Sequence, residues 1–308
     1  MSRLRVAVVG VGYLGRFHAQ KYAAMDDVDL VAVVDVDQGR AQEVARELGT
    51  VACTSIDHIG RPLDAASVAV PTSSHAEVAV RLLERGVAVL VEKPMASSLA
   101  DARAIVEASR KTGAILQVGH LERFNPALVK LKHAISEPMF IEAHRISPYR
   151  SRGTDVDVIL DIMIHDLDII LDLVPSPVAS IEAVGVNVLT EGVDIANARL
   201  RFANGCIANI TASRVSADVM RKIRIFQKNS YISIDFAKAK ADVYTLSPDR
   251  RIEHEHYAMS ESDALAAEIR SFVDAVRERT EVAVDGEAGL RAMEAALLVK
   301  EHLVVPGK

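Results

Sequence analysis

The stretch VAVVGVGYLGRFHA, residues 6–19, decides how the rest of the chain is read. An apolar run of strand type leads into Gly10, Gly12 and Gly15 in G-x-G-x-x-G register, and a helical pattern opens directly behind it. In that setting the three glycines serve different ends, namely a tight turn, close approach of a pyrophosphate, and packing of helix against strand. The helix start offers free N–H groups and the positive end of its dipole to phosphate. Asp35 ends the next apolar run, LVAVVD (30–35), 20 residues after Gly15. An acid there accepts hydrogen bonds from the adenosine ribose hydroxyls and repels a 2′-phosphate. Gly10, Gly12, Tyr13, Leu14, Gly15 and Asp35 are the expected cofactor contacts, with NAD favoured over NADP. Arg40 keeps NADP open, unless it is only a helix-surface charge.

Working outward, the same rhythm continues to about residue 120. Further strands are expected at VACT (51–54), ASVAV (66–70), VAVLVE (87–92) and AILQVG (114–119). Amphipathic segments lie between them, notably SSHAEVAVRLLERG (73–86) and SLADARAIVEASRKTG (98–113), each with a serine to cap its start and a glycine to close its end. Unbroken Val/Ile/Leu/Ala strands alternating with helices imply a parallel sheet covered on both faces, hence an α/β, doubly wound, Rossmann-type domain over 1–120.

Beyond a soft crossing near 119–125 the pattern changes. FNPALVKLKHAI reads as a helix, MFIEAHRIS as a strand, and DVDVILDIMIHDLDIILDLV (155–174) as a strongly apolar helix that Asp155 starts and PSP ends. Strands then follow one another in hairpin rhythm, with Asn204-Gly205 between two alternating runs as the plainest turn signal. Two helices finish the chain. A second domain over 121–308, α+β with a mostly antiparallel open sheet, is expected, its last helix (about 285–304) packing back toward the first domain. A sheet face without helices commonly packs on another copy, so a homodimer or homotetramer is expected.

Bulk composition bounds the function. A net charge of −6 argues against a general nucleic-acid binder. Nothing approaches the length of a membrane span, and the first strand lacks the features of a signal peptide, so a cytoplasmic protein is expected. Cys53 and Cys206 are far apart and outside any C-x-x-C pattern, so they read as small buried hydrophobes, with neither a disulfide framework nor a metal site indicated.

Ligands of an open parallel sheet bind beyond the carboxyl ends of its strands. There the fourth strand delivers Pro71, Thr72 and His75, and the fifth delivers Glu92, Lys93 and Pro94. Pro71 and Thr72 suit the nicotinamide ribose, whereas His75 is either a cofactor contact or a first-turn residue without a particular role. Lys93 sits directly after a buried strand, held extended by the proline that follows; its bland alternative is a snorkel to solvent. On the apolar helix, Asp157, Asp161, His165, Asp168 and Asp172 fall on one face. A solvent face accounts for Asp168 and Asp172. Asp161 and His165 also suit a general base with an orienting carboxylate.

These motifs together resemble the glucose–fructose oxidoreductase/inositol dehydrogenase/MocA family of NAD(P)-dependent oxidoreductases. GVGYLGRFHA, VPTSSHAEVA, VEKP, QVGHLERFNP and DIMIHDLDI carry the resemblance along the whole chain. It implies a dinucleotide in the first domain and a sugar or cyclitol against the sheet of the second. It further implies that His165 removes a hydroxyl proton as hydride leaves for the nicotinamide. Lys93 then stabilises the developing oxyanion or relays the proton, and Asp161 partners the histidine. The glycines usual around the family's carboxylate motif are replaced here by DVDVILDIMIHD, which bears on substrate type. The wording of VGHLERFNPA and YRSRGTDVDVILDIMIHDLDIIL looks most like the branch that oxidises the 3-hydroxyl of UDP-N-acetylglucosamine. A nucleotide sugar brings a pyrophosphate, and Arg145, Arg150 and Arg152 offer forks for it, unless they offset the acidic helix or pair across a subunit interface. His120, Arg123, Asn125 and Tyr149 complete the expected substrate contacts; Asn125 and its neighbours could instead cap the next helix. Competing readings are a dehydrogenase of a free sugar or inositol, a non-catalytic cofactor-dependent sensor, and a metal-dependent hydrolase built on the acidic stripe.

Overall fold

Six parallel strands alternate with four helices in the first third of the chain: β1 (Leu4–Val9), α1 (Tyr13–Ala23), β2 (Val28–Val34), α2 (Gln38–Leu48), β3 (Val51–Cys53), β4 (Ala65–Val68), α3 (Thr72–Leu83), β5 (Ala88–Glu92), α4 (Leu99–Thr112) and β6 (Leu116–Gly119). The computed structural model describes residues 2–149, 157–259 and 263–306. The sheet order β3-β2-β1-β4-β5-β6 is that of a doubly wound dinucleotide fold. Its central strands are buried on both faces, as their unbroken apolar runs require. Asp37 and Ser98 cap α2 and α4 through the amides of Arg40 and Asp101, and Gly49 and Gly113 close them in the left-handed region. The helix after β4 departs from expectation: Pro71, not a serine, occupies its cap position, and no side chain caps it.

The chain continues through α5 (Pro126–Leu131), β7 (Pro138–Ile146), a π-helical turn (Ile159–Met163) and α6 (Ile164–Leu173). Strands β8 (Val178–Val186), β9 (Ile195–Phe202), β10 (Ile207–Ser213), β11 (Met220–Gln227), β12 (Ser230–Asp235), β13 (Lys240–Leu246) and β14 (Ile252–Ala258) follow. Last come α7 (Ala264–Glu278), α8 (Gly286–Glu301) and β15 (Leu303–Val304). The second sheet has nine strands in the order β14-β13-β12-β11-β7-β10-β9-β8-β15. It is mostly antiparallel, with β7 paired parallel to β10 and β15 parallel to β8. Gly205, at φ +90°, makes the expected turn between β9 and β10. The π-turn and α6 bear on β7 and β10. Rings of Phe140, Phe226, Tyr231, Tyr244 and His254 stack from strand to strand at 4.2–5.7 Å between centroids. Such cross-strand pairs stabilise a sheet and its register.

Two compact units result: Met1–Leu121 with Asp263–Leu290, and Glu122–Ser262 with Arg291–Lys308. The first thus takes in α7 and the start of α8, which the sequence reading assigned to the second domain. The reason is in α7 itself, whose Ile269, Phe272 and Val273 join the core formed by Val6, Val8, Ala19, Tyr22, Val33 and Leu90. Strand β14 was not expected; its sequence IEHEHYA alternates charged groups and histidines and so lacks an apolar period. Both cysteines are free and buried. Among the described residues no helix is long and apolar enough to cross a membrane.

Candidate functional site

In the first unit the glycine turn has the shape its sequence demands. Gly10 sits at φ +83°, and a Cβ there would lie 2.6 Å from the Ala69 carbonyl oxygen. A Cβ on Gly15 would lie 1.7 Å from the carbonyl oxygen of Gly10, so α1 packs onto the turn only without a side chain. At Gly12 a Cβ would meet nothing within 4 Å among the described residues, which leaves that side open to a ligand. No side chain caps α1, and its first turn carries no acid, so its N–H groups remain available to an anion. Tyr13 and Leu14 are exposed at this helix start.

Asp35 is buried at the tip of β2. One carboxylate oxygen accepts the Val11 amide at 3.0 Å and the other the Asp37 amide at 3.0 Å, while Arg40 reaches both at 3.2 Å. A cavity of about 540 Å³ opens here, lined among others by Gly10, Gly12, Asp35, Arg40, Ser55 and Pro71. A larger cavity of about 790 Å³ lies at the opposite end of the sheet, against Leu4, Asp64, Ala88 and Ile115. The smaller one is at the carboxyl ends of the strands, where open α/β sheets bind their ligands. The open side of Gly12, the uncapped helix start and the ribose-type acid fit a dinucleotide.

The neighbouring strand tips are braced from below. His75 is buried; its Nδ1 lies 2.9 Å from the Pro94 carbonyl and its Nε2 2.9 Å from the Val70 carbonyl. Burial outweighs both carbonyls and lowers its pKa, and a neutral ring can donate to only one of them at a time. His75 thus joins the tip of β4 to the Glu92-Lys93-Pro94 tip, a role that neither sequence alternative included. The Lys93–Pro94 peptide is cis, and Lys93 is half-buried. Its amide donates to Glu92 at 3.2 Å, and the other Glu92 oxygen lies 2.9 Å from His18 Nε2. Burial works to raise the Glu92 carboxyl, but its hydrogen bond to His18 and the nearby positive charge hold it below the usual range. Sequence reasoning missed His18; the available signal was its place three residues after Gly15, on the α1 face toward the sheet. His120, at the end of β6, is buried.

In the second unit the acidic helix is not a solvent face. Asp168 is buried and receives Arg123 through two bonds, Nε at 2.7 Å and Nη2 at 3.0 Å. Asp172 takes Arg123 Nη1 and Lys132 Nζ, each at 2.6 Å. The solvent-face reading of these two acids is therefore corrected: spacing alone could not register cations arriving from the turns that flank α5. Arg123 is largely buried in this network. Asn125 caps α5 by accepting the Ala127 amide. Arg145 is likewise engaged, with Asp166 at 2.8 and 3.1 Å and Glu122 at 2.5 Å, matching the expectation that it offsets the acidic helix. Asp157 accepts the Ile159 and Leu160 amides and starts the helical segment. Asp161 lies in the π-turn and His165 in the first turn of α6, both half-buried. Single π-turns of this kind recur at functional sites. Tyr149 is exposed, and Arg150, Arg152 and Asp155 lie outside the described residues.

The parallel sheet, the open glycine turn and Asp35 define a dinucleotide-binding protein of the Rossmann class. Residues 4–120 match the oxidoreductase family with an NAD-binding Rossmann fold, and residues 133–232 match the GFO/IDH/MocA C-terminal domain. The chain belongs to the GFO/IDH/MocA family of oxidoreductases. It is 39% identical to the UDP-N-acetylglucosamine 3-dehydrogenase of Acidithiobacillus ferrooxidans over 97% of each chain. A solved structure of that enzyme superposes with a TM-score of 0.93 at 40% identity, covering 98% of both chains. The scyllo-inositol 2-dehydrogenase (NAD(+)) of Bacillus subtilis is 28% identical over 93% of this chain and 90% of its own.

Proposed function

We propose that this enzyme oxidises the 3-hydroxyl of a UDP-N-acetylhexosamine to a ketone, with NAD as cofactor. The observation that carries the reading is the likeness to the A. ferrooxidans dehydrogenase, at 39% identity over 97% of each chain. Gly10, Gly12 and the start of α1 hold the pyrophosphate, and Asp35 the adenosine ribose. NAD is preferred because a 2′-phosphate would meet the Asp35 carboxylate, and Arg40 is already bonded to that carboxylate. When bound, the nicotinamide supplies the two-electron acceptor for the sugar carbon.

The protein's own residues handle the proton. Their roles follow from the family motif at each position, one set in each unit. His165 takes the hydroxyl proton, and Asp161 keeps its imidazole in the accepting tautomer. Lys93, delivered by the braced β5 tip, stabilises negative charge on the sugar oxygen through its ammonium. Mass spectrometry of UDP-N-acetylglucosamine incubated with enzyme and NAD⁺ should reveal a product lighter by two hydrogens; no such product with any UDP-N-acetylhexosamine would overturn the reading. The inositol dehydrogenase likeness supports a second reading, oxidation of a free cyclitol. Thermal-shift screening with NAD present separates the two, since only the true substrate class should raise the melting temperature.

A further inference from the structure

Beneath the Lys93 tip the first unit buries three titratable groups that the proposed chemistry does not use. His18 of α1, Glu92 of β5 and Glu268 of α7 each place one nitrogen or oxygen within 4.8 Å of the others. His18 and Glu268 are fully buried and Glu92 nearly so. His18 is fully committed, with Glu92 at 2.9 Å on Nε2 and Ser67 Oγ at 3.2 Å on Nδ1, and Tyr22 adds its hydroxyl to Ser67 at 2.8 Å. Both Glu268 carboxyl oxygens, in contrast, have no hydrogen-bond partner among the described residues. The α7 backbone is fixed nearby, where Gln117 of β6 donates to the Glu268 carbonyl at 3.3 Å.

An ionised Glu268 here would be a second buried negative charge beside Glu92, a costly arrangement unless something positive joins it. A divalent cation could serve, but the His18 and Glu92 atoms that would ligate it are already bonded to each other. A proton needs no such opening. We propose that Glu268 is a positioning residue for Lys93: a buried carboxylic acid that keeps its proton, sets a neutral dipole rather than a second charge beside Glu92, and with His18 flanks the carboxylate on which the Lys93 amide rests. The role assigned to Lys93 rests on the function proposed above, whereas the protonation of Glu268 does not. The titratable groups that face Glu268 are His18 and Tyr22 from α1 and Glu92 from β5. Burial first, and the Glu92 charge second, push the Glu268 carboxyl well above the ordinary range.

The test uses full-length protein and Glu268→Gln, which keeps shape and neutrality, alongside Glu268→Leu. Wild type should display the infrared carbonyl stretch of a buried protonated acid, lost in Glu268→Gln; absence of that difference overturns the proposal. A carboxyl with a raised folded pKa loses stability as pH rises above its unfolded value, because only the unfolded chain releases the proton. The melting temperature of Glu268→Gln should therefore gain on wild type as pH rises from about 4.5. A constant or opposite gap overturns the proposal, as does a metal that copurifies in stoichiometric amount and is lost in the variant. With UDP-N-acetylglucosamine, Glu268→Gln should keep near wild-type kcat and lose an alkaline decline that wild type shows. Glu268→Leu should lose about tenfold or more in kcat. Identical pH profiles for wild type and Glu268→Gln overturn the positioning role even if Glu268→Leu fails to fold. Should wild type turn over no sugar nucleotide, the proposed function falls, while the infrared and melting results still decide Glu268.

Discussion

Asp35 accepts the Val11 amide at 3.0 Å, tying the tip of β2 to the glycine turn. One carboxylate thus shapes the turn and, in the function proposed above, also accepts the ribose hydroxyls. Replacing it with alanine removes both contributions, each a charge-assisted hydrogen bond. We expect Asp35→Ala to raise the NAD dissociation constant about 10- to 100-fold, as for about 1.5–3 kcal/mol of lost interaction. NADP binding should weaken less, because the group that repels its 2′-phosphate is gone and Arg40 is released. Fluorescence titration with both cofactors checks this. An unchanged ratio of NAD to NADP affinity would sink the specificity argument.

What was legible in the sequence was local. The six strands, the Gly205 turn and the placement of Lys93 each follow from a short run and the residue that stops it. The paired cations were not legible, because a stripe of acids at helical spacing looks the same whether water or Arg123 covers it. Nor could the apolar stripe of α7 say which sheet it would cover; Ile269 and Phe272 only announce that some core awaits them. Strand β14 escaped because its register is held by the ladder to β13, with His254 and His256 both reaching Asp242. The bracing of the β5 tip by His18 and His75 escaped for the same reason, being made of contacts between residues far apart in the chain.

Arg123 was expected to touch substrate, yet its guanidinium bridges Asp168 and Asp172 with only 7% of its side chain exposed. Removing one partner of such a network strands buried charge. Arg123→Ala should cost about 3–5 kcal/mol of unfolding free energy, measured by urea denaturation. A variant of normal stability with a raised substrate KM would instead make Arg123 a substrate ligand.

Acid sensitivity should have a source in the turn between β8 and β9. Asp194 accepts the Val188, Leu189 and Thr190 amides and the Thr190 hydroxyl, which outweigh its burial and hold its carboxyl down at about 2. A depressed carboxyl contributes stability that is complete above its unfolded pKa of about 3.8 and is lost as pH falls toward 2. Asp194→Ala should flatten that part of the stability–pH curve and cost about 2 kcal/mol at neutral pH. Unfolding monitored from pH 7 downward decides it; an unaltered acid slope means that other groups set it.

If Lys93 and His165 act on one hydroxyl, their contributions to turnover cannot be independent. Lys93→Met should leave NAD binding largely intact and lower kcat by about 10²–10³-fold, the size of a removed oxyanion donor. His165→Asn should lower kcat by about 10²–10⁴-fold as the general base is lost. Groups that serve the same transition state are non-additive, since once one is gone the other has less to stabilise. The double variant should therefore be only slightly slower than the worse single variant. Steady-state kinetics on the four proteins measures the coupling. Losses that simply multiply would mean that Lys93 and His165 work on separate steps, and the shared-hydroxyl mechanism would have to be abandoned.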